Sequence, residues 1–291
     1  MGTGEGQLLR LRPAAALRHA LRRPISLHPW PYLALARWKS GHSVLGPETE
    51  LVVDGFTRSA GTFAAIAFQL AQDDHVRVAH HMHAAGALVA AARRGVPVLL
   101  TVRAPEPTIL SAMVREPGIP AAQWLRTYVA FHERLLPYRA SFVVASFEEV
   151  TSDLGDVIDR LNARFGTRFR RFEHTEENVR AVFRLIEERA AGPPWQPHLN
   201  RFVSGLISAG EYLERTRPFR EEGRRPGIPE HRVQRPSAVR EAAKERVRAI
   251  YRAPRLEALR ARAEAAYRAL VAAEGDVPPA ARGTSGIPRS R

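Results

Sequence analysis

Residues Leu51 to Phe63 read LVVDGFTRSAGTF. A short apolar run, Leu51 to Val53, ends in Gly55, and a small-residue loop follows, Arg58-Ser59-Ala60-Gly61-Thr62. Phe63 to Ala71 then reads as a helix. A strand, a tight loop and a helix N-terminus together make an anion site, because loop amides point inward and the helix dipole adds partial positive charge. Arg58 adds a full charge and Thr62 a hydroxyl. The stretch predicts a phosphate-like ligand. The plainer alternative is a strand-to-helix turn whose small residues permit close packing. The loop is not a Walker A sequence, which needs GxxxxGK followed by Ser or Thr; no Lys stands in it.

Two further strand ends extend the pattern. Val96 to Val102, VPVLLTV, is apolar and β-branched and follows Gly95, as a buried strand does. Arg103 ends it, Ala104-Pro105-Glu106-Pro107 opens a helix, and Ser111 stands eight residues after Arg103. An arginine forks onto a phosphate bidentately, and a serine in the next helix can donate to the same oxygens. Between the two anion sites lies Val76 to His83, VRVAHHMH. The alternation of Val76 and Val78 predicts a strand with His80, His81 and His83 at its end.

Strands are expected near 50–55, 76–80, 97–102 and 141–146. Helices are expected near 62–72, 84–94, 106–115, 120–136 and 149–165. Strands alternating with helices imply an α/β fold, with a parallel sheet and right-handed crossovers. An amphipathic helix is expected near Leu8 to Arg23, and His28 to Tyr32, HPWPY, reads as turn-rich. Glu176 to Ala191 reads as a further helix ended by Gly192-Pro193-Pro194. Residues 193–235, rich in Pro and Arg, read as loops wrapping the core. Ser237 to Ala272 reads as two helices broken at Pro254. The division expected is a basic N-terminal extension, 1–45, one domain, 46–274, and a disordered tail, 275–291.

The loop Arg58 to Phe63 resembles the loop that grips the 5′-phosphosulfate in sulfotransferases. The string RAPEPTILS, Arg103 to Ser111, resembles their 3′-phosphate motif. The resemblance covers roughly residues 48–172. It implies a three-layer α/β/α fold of the P-loop nucleoside triphosphate hydrolase type, with 3′-phosphoadenosine 5′-phosphosulfate as donor and no metal. Arg58, Ser59, Ala60, Gly61, Thr62 and Phe63 would then hold the 5′-phosphate, Arg103 and Ser111 the 3′-phosphate, and Arg58 would also serve catalysis. The absence of the Walker Ser/Thr and of an acidic strand end fits a reaction without magnesium. In many members a Lys-Thr-His string ends the middle strand and its His is the base. His83 matches that His and His81 matches the Lys, a departure that leaves the base open between them. A histidine suits removal of a proton from an acceptor hydroxyl. Zinc on His81 and His83, or a purely structural histidine cluster, are the alternatives. Arg235-Pro236-Ser237, leading to Arg240, resembles a shortened form of the basic loop that closes over the 3′-phosphate; alternatively Ser237 caps the next helix. Ser141 to Val150, SFVVASFEEV, resembles the following strand and acidic turn, with Glu148 and Glu149 read as a helix start.

Composition sets the outer bounds. A chain of 291 residues with 45% hydrophobic content suits one α/β enzyme domain. No apolar run is long enough to span a bilayer, and no signal-peptide core is seen. The chain has no cysteine, which excludes disulfides and suits a reducing interior, so the expected place is the cytoplasm. The net charge of +14 calls for anionic partners. No helix-turn-helix, RNP or finger pattern supports nucleic acid as that partner. The basic residues are almost all Arg, with Lys only at 39 and 244. The expected acceptor is a small molecule or glycan carrying a hydroxyl or amine. Two other functions remain open at this level, a nucleotide-dependent phosphotransferase of the same fold and a non-catalytic basic protein that binds an anion or a nucleic acid.

Overall fold

The computed structural model describes residues 13–222 and 237–272. Four strands, β1 (Leu51–Gly55), β2 (Val78–His80), β3 (Val98–Val102) and β4 (Val143–Ser146), form one parallel sheet in the order β2-β1-β3-β4. The register pairs Val53 with His80, Gly55 with Thr101 and Val102 with Ser146. The strands are apolar on both faces because both are covered. Along β1 the alternation splits the core: Val52 packs into one cluster, while Leu51 and Val53 pack into the other.

One face is covered by α3 (Gly61–Ala71), α8 (Leu154–Phe165), α9 (Glu176–Ala191), α10 (Trp195–Val203) and α11 (Ala209–Glu221). The other is covered by α4 (Ala85–Arg93), α5 (Pro105–Arg115), α6 (Ala121–Leu135), α12 (Ala238–Arg252) and α13 (Glu257–Val271). Two N-terminal helices, α1 (Pro13–Leu27) and α2 (Pro29–Ser40), join the second layer through Tyr32 and Leu33. The short α7 (Phe147–Ser152) follows β4. Among the described residues no helix is long and apolar enough to cross a membrane.

The expected strands and the helix at 176–191 are present. Three local readings are corrected. HPWPY is not a turn but the start of α2, with Pro29 in its first turn, where no amide hydrogen is required. Residues 193–222 are not loops. Pro194 and Pro197 lie at the N-cap and in the first turn of α10, and Ser208 with Glu211 forms a capping box for α11. The expected helix 149–165 is two, because Asp153 ends α7 and accepts from the Asp156 amide to start α8. Glu148 and Glu149 do form a helix start, and Glu149 closes a capping box with Ser146. The first helix runs from Pro13 to Leu27, and residues 8–12 lie outside the described residues. The expected tail at 275–291 also lies outside them.

Two glycines are required by close approach. A Cβ on Gly55 would stand 2.0 Å from the Thr101 carbonyl oxygen, so β1 and β3 meet at a point where no side chain fits. Gly205, with φ +67°, would place a Cβ 1.9 Å from the Val76 carbonyl oxygen.

Candidate active site

Every strand of the sheet delivers a side chain or loop to its C-terminal edge, where open parallel sheets bind ligands. A cleft of about 550 Å³ lies there, walled by residues from the 57–63 loop, His81, His83, Arg103 and Ser111, and by Arg189 and Arg240. It sits beside the pair β1 and β3, the point at which the chain switches from building the sheet one way to building it the other.

The loop after β1 is held from within. Ser59 is buried, donates to the Phe56 carbonyl at 2.6 Å and pairs with the Thr101 hydroxyl at 2.9 Å. Its side chain therefore fixes the loop and does not line the cleft, unlike those of Arg58, Thr62 and Phe63. Ala60 is the N-cap residue of α3 in a left-handed conformation, and no side chain caps the helix. The first amides of α3, at Gly61, Thr62 and Phe63, lack intrahelical acceptors by geometry, and Gly61, Thr62 and Phe63 all line the cleft.

Arg58 and Ser111, far apart in sequence, meet. Arg58 Nε donates to Ser111 Oγ at 2.8 Å, and Arg240 donates to the same oxygen at 3.3 Å. Arg103 donates to the Arg58 carbonyl at 3.4 Å and lays its guanidinium 3.7 Å over the Phe147 ring, while its buried Nε has no hydrogen-bond partner. Arg189, from the last turn of α9, also has a buried Nε without a partner. Burial, then the guanidiniums of Arg240, Arg115 and Arg103, bring Arg58 down from the ordinary guanidinium range to about 9. Burial and Arg115 bring Arg189 down to about 10. Burial also lowers Arg103 and Arg240. Several partly buried cations thus repel one another across one cleft, with Glu116 and Glu241 as the carboxylates lining it.

The three histidines after β2 are not equivalent. His80 is buried, bonded through Nε2 to Ser204 at 3.1 Å and through Nδ1 to His81 Nδ1. His81 Nε2 pairs with Thr62 Oγ1 at 2.7 Å, so both of its ring nitrogens are taken. Burial, then Arg189, holds His80 at about 3 and His81 well below its ordinary value, so both stay neutral. His83 differs. Its Nδ1 lies 2.9 Å from the Gly55 carbonyl, which can only accept, so Nδ1 carries the hydrogen and the lone pair of the neutral ring falls on Nε2. Asp54 holds the same residue in place, accepting from the His83 amide at 2.8 Å and approaching Nδ1 to 3.3 Å. This is a carboxylate-oriented histidine facing the cleft, a geometry suited to a general base. Among the described residues no group of three His, Cys, Asp or Glu side chains gathers as metal ligands; the nitrogens of His80 and His81 are spent on Ser204, Thr62 and each other.

Among the described residues, all four non-glycine positions with positive φ fall in these two loops: Arg58 (71°), Ala60 (70°), His81 (57°) and His83 (48°). Such conformations cost about 1–3 kcal/mol each and concentrate at functional sites.

The expected site residues at 58, 60–63, 81, 83, 103 and 111 converge on the cleft, and Ser59, expected with them, is instead buried beneath the loop. Arg235 lies outside the described residues, while Ser237 caps α12 by accepting from the Arg240 amide. Sequence reasoning missed Asp54, Arg115, Arg189 and Lys244. Asp54 stands one residue from the end of β1, a position whose acid the sequence reading passed over. Arg115 lies one turn after Ser111 on α5 and Lys244 one turn after Arg240 on α12, whereas Arg189 comes from α9, far from any expected motif. No family model, no curated protein and no solved structure matches the chain.

Proposed function

We propose that the chain is a sulfotransferase of the P-loop-type fold, moving a sulfuryl group from 3′-phosphoadenosine 5′-phosphosulfate to a hydroxyl or amine. The observation that carries this reading is the meeting of the Arg58 loop with Ser111 and Arg103 beside an uncapped helix N-terminus. Two anion-binding elements distant in sequence share one cleft, as a donor with two phosphate groups requires. Arg103, Ser111 and Arg240 take the 3′-phosphate in this reading, and the amides of 61–63 with Arg58 take the 5′-phosphosulfate.

His83 Nε2 removes the proton of the acceptor hydroxyl, whose oxygen attacks sulfur in line. The bond from sulfur to the bridging oxygen breaks, and the electron pair leaves with adenosine 3′,5′-bisphosphate. Arg58 and the α3 amides meet the charge that develops on that oxygen, the fixed-dipole stabilisation also used in phosphoryl transfer. The cysteine-free chain suits the cytoplasm.

The test is a titration with adenosine 3′,5′-bisphosphate, magnesium ATP and duplex DNA, read by calorimetry and melting temperature. The bisphosphate alone should stabilise the fold clearly, by about 2.7 kcal/mol at a hundred times its dissociation constant. Equal shifts with ATP would point to the phosphotransferase. Binding of DNA with no response to either nucleotide would point to a non-catalytic polyanion binder.

A further inference from the structure

The N-terminal helices carry a feature that the cleft does not use. Leu17 and Leu21 on α1 are 61% and 60% exposed, and on α2 Trp30, Leu35 and Trp38 are 81%, 51% and 85% exposed. These are five of the eight large exposed hydrophobics among the described residues, gathered on two adjacent helices. Leu17 and Leu21 are one turn apart, and Trp30 and Trp38 are two turns apart on one helical face. Patches of this kind mark interaction sites.

Along these two helices the charge has one sign. From Gly6 to Pro47 the chain has no Asp or Glu, whereas Arg18, Arg22, Arg23, Arg37 and Lys39 fall within α1 and α2. Arg18 is exposed beside Leu17. A second copy of this chain is a poor occupant, since a two-fold contact would press the same cations together. Single-stranded nucleic acid would use the charge and the indoles by stacking but would leave the three leucines in contact with water. An anionic bilayer uses all three: aliphatic side chains enter the acyl boundary, Trp settles at headgroup level, and Arg meets lipid phosphate.

We infer that α1 and α2 form a peripheral docking surface for anionic membranes. The same helices grip the loop that bears His83, since Tyr32 Oη donates to the Met82 carbonyl at 2.9 Å and Arg22 reaches the same oxygen at 3.5 Å. Docking therefore loads the segment next to the cleft.

The chain has four tryptophans, and Trp124 and Trp195 are buried, so a change in emission on docking reports Trp30 and Trp38. The full-length protein is mixed with vesicles of phosphatidylglycerol and phosphatidylcholine, or of phosphatidylcholine alone, and followed by co-sedimentation and tryptophan emission. Binding and a blue shift are expected with the anionic vesicles, weakened by salt. Arg18→Gln should lower partitioning about fivefold, the equivalent of ~1 kcal/mol for one basic residue at an anionic surface. Trp30→Ser with Trp38→Ser should lower it by about tenfold or more, since each indole covers on the order of 150–250 Å². Both variants alter exposed side chains, and unchanged melting temperatures verify their fold. The inference is overturned if anionic vesicles neither sediment the protein nor shift its emission. It is equally overturned if the double Trp variant binds like the wild type. A dimer that the Trp variant converts to monomer without loss of vesicle binding would assign the face to a second copy. A blue shift produced by single-stranded RNA and not by vesicles would assign it to nucleic acid. Emission already blue-shifted in the free protein and unmoved by vesicles would assign it to the chain's own terminal segment.

Discussion

Replacing Arg58 by methionine separates a cation that waits for an anion from one that braces the fold. Burial and the facing guanidiniums of Arg240, Arg115 and Arg103 bring Arg58 from the ordinary guanidinium range down to about 9. At about 1.4 kcal/mol per tenfold change in proton affinity, keeping that charge in the folded cleft disfavours folding by about 5 kcal/mol. The sign follows from linkage. A base whose proton affinity falls on folding destabilises the native state fully below pH 9. The penalty is released only as pH rises above about 9 towards the range of a free guanidinium, where the folded state has lost its proton and the unfolded state has not. Methionine removes the penalty at neutral pH. It also removes the hydrogen bond to Ser111, worth about 1.5–3 kcal/mol for a charged donor, though Ser111 keeps its bond from Arg240. The net expectation is a gain of about 2–3.5 kcal/mol, and at roughly 2–4 °C per kcal/mol for a domain of this size, a rise of about 4–14 °C. The measurement is thermal unfolding in buffer free of sulfate and phosphate. A second scan with adenosine 3′,5′-bisphosphate should reverse the order, because the wild type gains from the ligand and the variant gains little. An Arg58→Met protein that melts below the wild type in anion-free buffer would sink the reasoning, since the guanidinium would then be a net strut.

Two further substitutions divide the cleft by role. Arg103→Ala should weaken bisphosphate binding by about 1.5–3 kcal/mol, the value of a charged hydrogen bond, as read by calorimetry; unchanged affinity in a folded variant would remove Arg103 from the 3′-phosphate site. His83→Ala should keep bisphosphate affinity and lose turnover by on the order of a hundredfold or more, measured as transfer from labelled donor to a panel of hydroxyl acceptors. His81→Ala should cost less, because both ring nitrogens are already taken by Thr62 and His80; loss in His81→Ala with full activity in His83→Ala would reverse the assignment.

The sheet was legible because its strands are short, apolar on both faces and bounded by glycine or loop residues, so composition and length alone mark them. Two of the helices missed, α2 and α10, are begun by proline. Pro29, Pro194 and Pro197 read as breakers, yet at the N-cap or in the first turn a proline forfeits no hydrogen bond. The Ser208 to Glu211 capping box was present in the sequence and was masked by the Pro- and Arg-rich composition around it.

The site divides along the same line between local and distant information. Arg58 to Phe63, and Arg103 with Ser111, were readable because each element is a few residues of strand, loop and helix whose spacing carries its geometry. What converts them into a site is not local. The parallel register that sets Val53 against His80 brings the end of β1 beside the exit of β2, so Asp54 comes within reach of His83. That contact, with the Gly55 carbonyl on Nδ1, is what distinguishes His83 from His81; the string VAHHMH alone treats them alike. The same holds for the cations. In a chain whose basic residues are nearly all arginine, residue type says little about Arg189 or Arg115. Their meaning comes from where the fold places them, Arg189 with a buried Nε that has no hydrogen-bond partner and Arg115 on the wall of the same cleft. The electrostatic strain in the guanidiniums and the backbone strain at Arg58, Ala60, His81 and His83 coincide in space. That coincidence is the physical observation that favours the proposed anionic ligand for this cleft.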